Sequence, residues 1–230
     1  MASLFDDYRN GYREAVEGSI GFSGLGHDFF LKAKADLLRR LMVERGIEQG
    51  GAGVRALDIG CGIGSLHRHL KGVFASLSGC DVSEQSILRA RTDNPDHAYS
   101  VCASAVLPYG DGSFDLAFAS CVLHHVPPAA WREFFREIRR VLRPGGMACI
   151  IEHNPWNPLT RLAVLRCPFD KDAVLLSAGK VEALFRAAGF GEIRSEHFLL
   201  LPRAGRLARR WERAFAPLPL GAQYACSARA

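Results

Sequence analysis

Apolar positions along this chain follow two rhythms in turn. LKAKADLLRRLMVERG, 31–46, repeats at helical spacing and stops at Gly46, a residue suited to the left-handed backbone that ends a helix. QGGAG, 49–53, is a linker. Beyond it, strands are expected at 54–59, 73–80, 97–102, 114–120 and 147–153. Helices are expected between them, at 65–71, 84–92 and 129–142. Alternation of this kind predicts a parallel sheet with helices on both faces. A helix at 177–188 and a strand at 190–198 resume the pattern, then a basic helix, PLPLG and AQYACSARA as a closing strand. Residues 1–30 read as a short helix and a glycine-bearing loop ahead of the core. Regularity lapses in HNPWNPLTRLAVLRCPFDKD, 153–172, where prolines 155, 158 and 168 rule out one continuous helix. A long insertion at the carboxyl end of a strand is commonly functional, so 153–176 is expected to cap a pocket.

VRALDIGCGIG, 54–64, carries the most chemistry. A strand ends in Asp58, glycines follow at 60, 62 and 64, and the helix-like SLHRHLKG comes next. A strand, a glycine-rich turn and a helix N-terminus form a cradle of nucleotide type. Two residues argue against a dinucleotide. Ser65 stands where G-x-G-x-x-G needs its third glycine, and Asp58 would repel a pyrophosphate. Nicotinamide-dependent redox chemistry is disfavoured for that reason. A carboxylate there suits an ammonium group. Asp81 lies 81 − 60 = 21 residues after Gly60, at the distance where an acid commonly takes ribose hydroxyls in charge-assisted hydrogen bonds. Ser83 then caps the helix at 84–92. The ligand so described has a ribose, a cationic amino-acid end and no phosphate. S-adenosylmethionine fits it.

With these residues in place, the chain resembles the class I S-adenosylmethionine-dependent methyltransferases, of the small-molecule type 11 group. Further segments match that family in order: ASAVLPYGDGSFDLAFAS at 103–120, CVLHHV at 121–126, FFREIRRVLRPGGMACIIE at 134–152 and VEALFRAAGFGEIR at 181–194. The resemblance implies an α/β fold. Its Rossmann-like, seven-stranded, mostly parallel sheet has helices on both faces, an α/β/α sandwich. The last strand is antiparallel, inserted between strands five and six. One domain is expected over 1–230. It comprises an N-terminal helical lid and first helix at 1–50, a core at 54–198, and a basic helix with closing strand at 199–230.

The resemblance also assigns roles. Asp58, Gly60, Gly62 and Gly64 hold the methionine end of the cofactor, with Cys61 between them. Asp81 holds the ribose beside Ser83, Val82 packs on adenine, and Cys121 lines the cleft. Family members often carry Asp at the position of Ala103; here Ser104 or backbone groups take over its contact with adenine. Tyr8 and Tyr12, one helical turn apart, are either a lid over the cofactor or the packing of a surface helix.

Methyl transfer is an in-line displacement in which the protein mainly aligns donor and acceptor and excludes water. His124 and His125 are candidate bases, since histidine titrates near neutral pH; either one is equally able to be a structural partner of the backbone. Glu152 and His153 end a strand, where they orient or bind the acceptor, or form a buried pair supporting the loop. Asn154, Trp156 and Asn157 are further candidates for acceptor contact.

Composition narrows the class. The chain has 230 residues, 48% hydrophobic and 23% charged, with a net charge of +5. RAGRLARRWER, 203–213, reads as a solvated helix face, so no nucleic acid is expected. The seven cysteines include no CxxC pair, and zinc-type spacing is absent. His67 and His69 would diverge around a helix surface. No metal is expected on this reading. Scattered cysteines and no apolar leader point to the cytoplasm. No run reaches the roughly 18 apolar residues of a membrane span. The expected partner is a small-molecule acceptor in biosynthetic metabolism, methylated on O, N or C, and a homodimer is compatible. Two alternatives stand: an S-adenosylmethionine-using enzyme of another reaction type, such as a cyclase, or a non-catalytic cofactor-binding protein.

Overall fold

A computed structural model describes residues 12–47, 53–102, 106–200 and 215–230. Seven strands form one sheet: β1 Arg55–Ile59, β2 Ser76–Asp81, β3 Ala98–Val101, β4 Phe114–Ser120, β5 Leu142–His153, β6 Gly191–Phe198 and β7 Gln223–Arg229. Their order is β3-β2-β1-β4-β5-β7-β6. Pairing is parallel from β3 through β5. β7 runs antiparallel to both neighbours, as the resemblance implied.

Six α-helices are described: α1 Tyr12–Ile20, α2 His27–Glu44, α3 Glu84–Asp93, α4 Trp131–Val141, α5 Pro158–Arg166 and α6 Ala178–Ala187. The sheet is covered on both sides because its strands are apolar on both sides. Period-2 alternation sorts β1: Leu57 and Ile59 join the layer that holds Phe135 and Ile138 of α4 and Phe185 of α6. Ala56 faces the other way, into the layer of Leu38 and Leu41 of α2. Phe135 meets Phe185 edge-on, with centroids 4.7 Å apart, an arrangement that favours aromatic pairs beyond their buried area. Asp58 shares the parity of Ala56, and so shares the α2 side of the sheet.

Three expectations change. The helix expected at 65–71 is a single 3-10 turn, His67–His69. Its first residue is drawn fully into the core by two hydrogen bonds, which a surface helix would not allow. Proline 158 starts a helix instead of interrupting one. It sits in the first turn of α5, where its fixed φ and missing N–H cost nothing, and Asn157 caps that helix by accepting from the Thr160 backbone N–H at 3.0 Å. The fifth strand begins at Leu142 instead of 147, and the sheet absorbs the RPGG turn through a register shift between Phe114 and Leu116. Tyr8, Ala103, Ser104 and the basic stretch 203–213 lie outside the described residues. No described helix is long and apolar enough to cross a membrane.

Candidate active site

One cavity of about 1090 Å³ opens where β1, β4 and β5 end. It exceeds the roughly 300–1,000 Å³ common for a single ligand, and so has room for two. α1 and α2 line it from the N-terminal side, and α5 lines it from the insertion at 153–172.

The first wall is built by the glycine loop. Gly60 has φ +74 and its Cα side lies against Val122, so a side chain there would be strained and would clash. Gly62 donates its N–H to Asp81 Oδ2 at 2.8 Å, and Ser83 donates its own to Oδ1 at 2.9 Å. The Asp81 carboxylate is thereby pinned at the cavity edge. Burial raises its pKa. Asp58 is deeper, 3% exposed. His67 Nε2 lies 3.0 Å from Asp58 Oδ2, and His67 Nδ1 lies 2.6 Å from the Tyr99 hydroxyl. Asp58 Oδ1 has no hydrogen-bond partner among the described residues. Burial raises the Asp58 pKa, with His67 and Lys34 opposing it. A buried carboxylate oxygen without a partner is costly, and a ligand ammonium group would satisfy it.

The second wall is built around Glu152. Its Oε1 accepts from the backbone N–H groups of Val122 at 2.9 Å and Leu123 at 2.7 Å. Its Oε2 lies 2.6 Å from His124 Nδ1. The other His124 nitrogen, Nε2, faces Asp170 Oδ1 at 3.5 Å. Burial works against a charge on His124, but Glu152 and Asp170 outweigh it and lift the pKa to about 10. Burial and the neighbouring His124 push His125 down to about 4. Between the walls sits Cys121, a non-glycine residue at φ 57. Its Sγ receives the Lys34 ammonium at 3.1 Å. Burial pushes this thiol up, yet Lys34 and His153 overcome it and bring the pKa down to about 6.

The methyltransferase domain profile matches residues 57–150. That span runs from the glycine loop to the fifth strand, and holds Asp58, Asp81, Cys121, His124 and His125 but not Glu152 or Asp170. Residues 57–150 are thus similar to a methyltransferase domain. An uncharacterized methyltransferase of Synechocystis is 34% identical over 113 residues, 46% of this chain and 53% of the relative. An O-methyltransferase of Penicillium expansum is 33% identical over 160 residues, 66% of this chain and 57% of the relative. The chain thus spans about half the length of these curated relatives. The crystal structure of an S-adenosylmethionine dependent methyltransferase from Mesorhizobium loti superposes with a TM-score of 0.58 at 25% identity, covering 85% of this chain and 100% of that one.

Around the cavity, the expected residues divide. Asp58, Gly60, Cys61, Gly62, Asp81, Val82, Cys121, His124, His125 and His153 all line the cavity. Three do not. Gly64 packs against Asn94 and Tyr99. Ser83 is fully buried, with its hydroxyl accepting from the Ser86 backbone N–H at 3.1 Å, and serves the cap of α3. Glu152 stands behind His124 instead of lining the cavity. Among the further candidates, Asn157 lines the cavity, whereas Asn154 and Trp156 do not. Asn154 donates to the carbonyls of Pro219 at 2.9 Å and Gly221 at 2.8 Å, tying the insertion to the approach to β7. Trp156 is 71% exposed. Two lining residues escaped the sequence reading. Asp170 carried no local signal. Lys34 did carry one, since it interrupts the apolar stripe of α2 between Leu31 and Leu38 and is itself buried.

Proposed function

We propose that this chain transfers a methyl group from S-adenosylmethionine to a small-molecule acceptor in biosynthetic metabolism. The observation that carries the reading is Asp58. It lines the cavity, it is buried, and one carboxylate oxygen lacks the partner that an ammonium group supplies. S-adenosylmethionine supplies a sulfonium methyl group already activated by its own charge. Asp58 takes its amino group, and Lys34, whose charge reaches Asp58, takes its carboxylate. Asp81, pinned by Gly62 and Ser83, accepts from the ribose. Gly60, Cys61 and Gly62 form the floor, Val82 packs on the adenine, and Cys121 separates the cofactor from the acceptor. α1 and α5 exclude water from above.

On the acceptor side, both His124 nitrogens already face carboxylates, so that ring has none left to take a proton from the acceptor, and Glu152 positions it. His125, His153 and Asp170 are left to touch the acceptor. The domain match and the O-methyltransferase relative support methyl transfer. Seven cysteines outside any disulfide fit a reducing compartment such as the cytoplasm.

Calorimetric titration with S-adenosylhomocysteine, against NAD as a control, tests the cofactor. Binding of the first alone is expected. Asp81→Ala should weaken it about 100-fold, since two hydrogen bonds to a charged group contribute roughly 3 kcal/mol. Unchanged affinity in that variant would remove Asp81 from the site. Turnover should then release S-adenosylhomocysteine; methylthioadenosine would assign the cofactor to attack at another carbon.

A further inference from the structure

Three side chains of the acceptor wall converge from distant parts of the chain. His124 and His125 come from the 3-10 turn Leu123–His125 after β4, and Asp170 comes from the turn Pro168–Asp170 after α5. Asp170 Oδ1 lies 3.5 Å from His124 Nε2 and 3.4 Å from His125 Nε2. One ligand atom from each of the three lies within 4.8 Å of the others. The two separations from Asp170 are longer than the roughly 2.7–3.2 Å of a good N–H···O bond. They match the edge of a coordination tetrahedron: ligands about 2.0–2.2 Å from a zinc-like ion lie about 3.4 Å apart.

The support behind these atoms is equally specific. A metal-ligating histidine almost always places its other ring nitrogen on a carboxylate or carbonyl, which fixes its orientation. His124 does this, with Nδ1 on Glu152 at 2.6 Å and Nε2 turned toward Asp170. Glu152 is in turn held by two backbone N–H groups. Asp170 and Glu152 bring two negative charges to this corner, and a dication would displace the proton of His124 Nε2 and take its place beside them. All three ligand residues border the cavity.

We propose that His124, His125 and Asp170 bind one divalent first-row transition ion, with its open position turned toward the acceptor. Two imidazoles and one carboxylate suit zinc, iron, cobalt or manganese, whereas magnesium and calcium prefer all-oxygen sets. An ion there would coordinate an acceptor oxygen and lower its pKa, which selects hydroxyl-bearing acceptors among the O, N and C classes. That substrate class rests on the methyltransferase reading; the binding of the ion does not.

The test uses the full chain stripped with a chelator. It is titrated with Co²⁺, read by visible absorption, and separately with S-adenosylhomocysteine by calorimetry. One equivalent of cobalt, displaced by zinc, is expected. His125→Ala and Asp170→Ala should each weaken it about 100-fold or more, beyond the 10–100-fold typical of losing an outer partner. Cys121→Ser should leave it intact. X-ray absorption on the unmutated cobalt protein should show nitrogen and oxygen neighbours. No saturable cobalt binding, binding that survives both alanine variants, or sulfur in the cobalt shell would overturn the site. If S-adenosylhomocysteine binds and cobalt does not, the ion site falls and the methyltransferase reading stands. If cobalt binds and S-adenosylhomocysteine does not, the ion site stands and the cofactor reading falls.

Discussion

The two walls of the cavity hold their carboxylates by opposite means. On the cofactor wall, Asp81 is fixed by neighbouring backbone, with Gly62 and Ser83 donating to it from either side. On the acceptor wall, both main contacts span distant sequence: Glu152 with His124 and His124 with Asp170. A wall made from the loops that end two adjacent strands can bind the same cofactor whatever lies opposite. A wall assembled from the ends of separate strands and an insertion can be rebuilt piece by piece. This division lets one fold keep its donor while changing its acceptor.

Breaking the acceptor wall should cost the most stability. Glu152→Ala leaves two backbone donors and a buried histidine without their carboxylate, and should lower unfolding free energy by about 3–5 kcal/mol, read by urea denaturation. A loss below about 1 kcal/mol would mean that this wall is not held by its charges. The cofactor wall has one equivalent strut, and changing it sharpens the contrast. His67→Phe keeps a ring beside Tyr99 but removes both hydrogen bonds, and should cost about 1–3 kcal/mol while weakening S-adenosylhomocysteine binding about tenfold in calorimetry. Binding unchanged with stability reduced would restrict His67 to the core. Trp156→Ala, on the exposed side of the insertion, should change stability by no more than about 0.5 kcal/mol and leave S-adenosylhomocysteine affinity unaltered.

The same contrast explains what could be read from the chain before its structure. The place of Asp58, Gly60, Gly62 and Asp81 at the cavity was legible because they lie in adjacent residues and at one fixed spacing. His67 was misjudged because its position in SLHRHLKG suggested a solvated helix, whereas two buried partners, Asp58 and Tyr99, claim it from elsewhere. Asn154 looked like a substrate contact, but its partners are carbonyls near β7, beyond the reach of any local pattern. Lys34 was readable in principle, as a cation on a buried stripe. Asp170 was not, since nothing near it in sequence marks it. The sheet itself was legible to its last strand, because apolar runs of strand length recur with helices between them.

The place of β7 in that sheet has a consequence for how the chain is made. β7 follows every other strand in the chain, yet it fills the gap between β5 and β6. Until it leaves the ribosome, both neighbours present unpaired backbone edges, the feature that invites wrong pairing between chains. β1 to β4 have all their own partners by then and can assemble first. The acceptor wall must wait, because Gln223 and Tyr224 pair with His153 and Glu152. Synthesis would therefore deliver the cofactor wall before the acceptor wall, with β7 as the closing step.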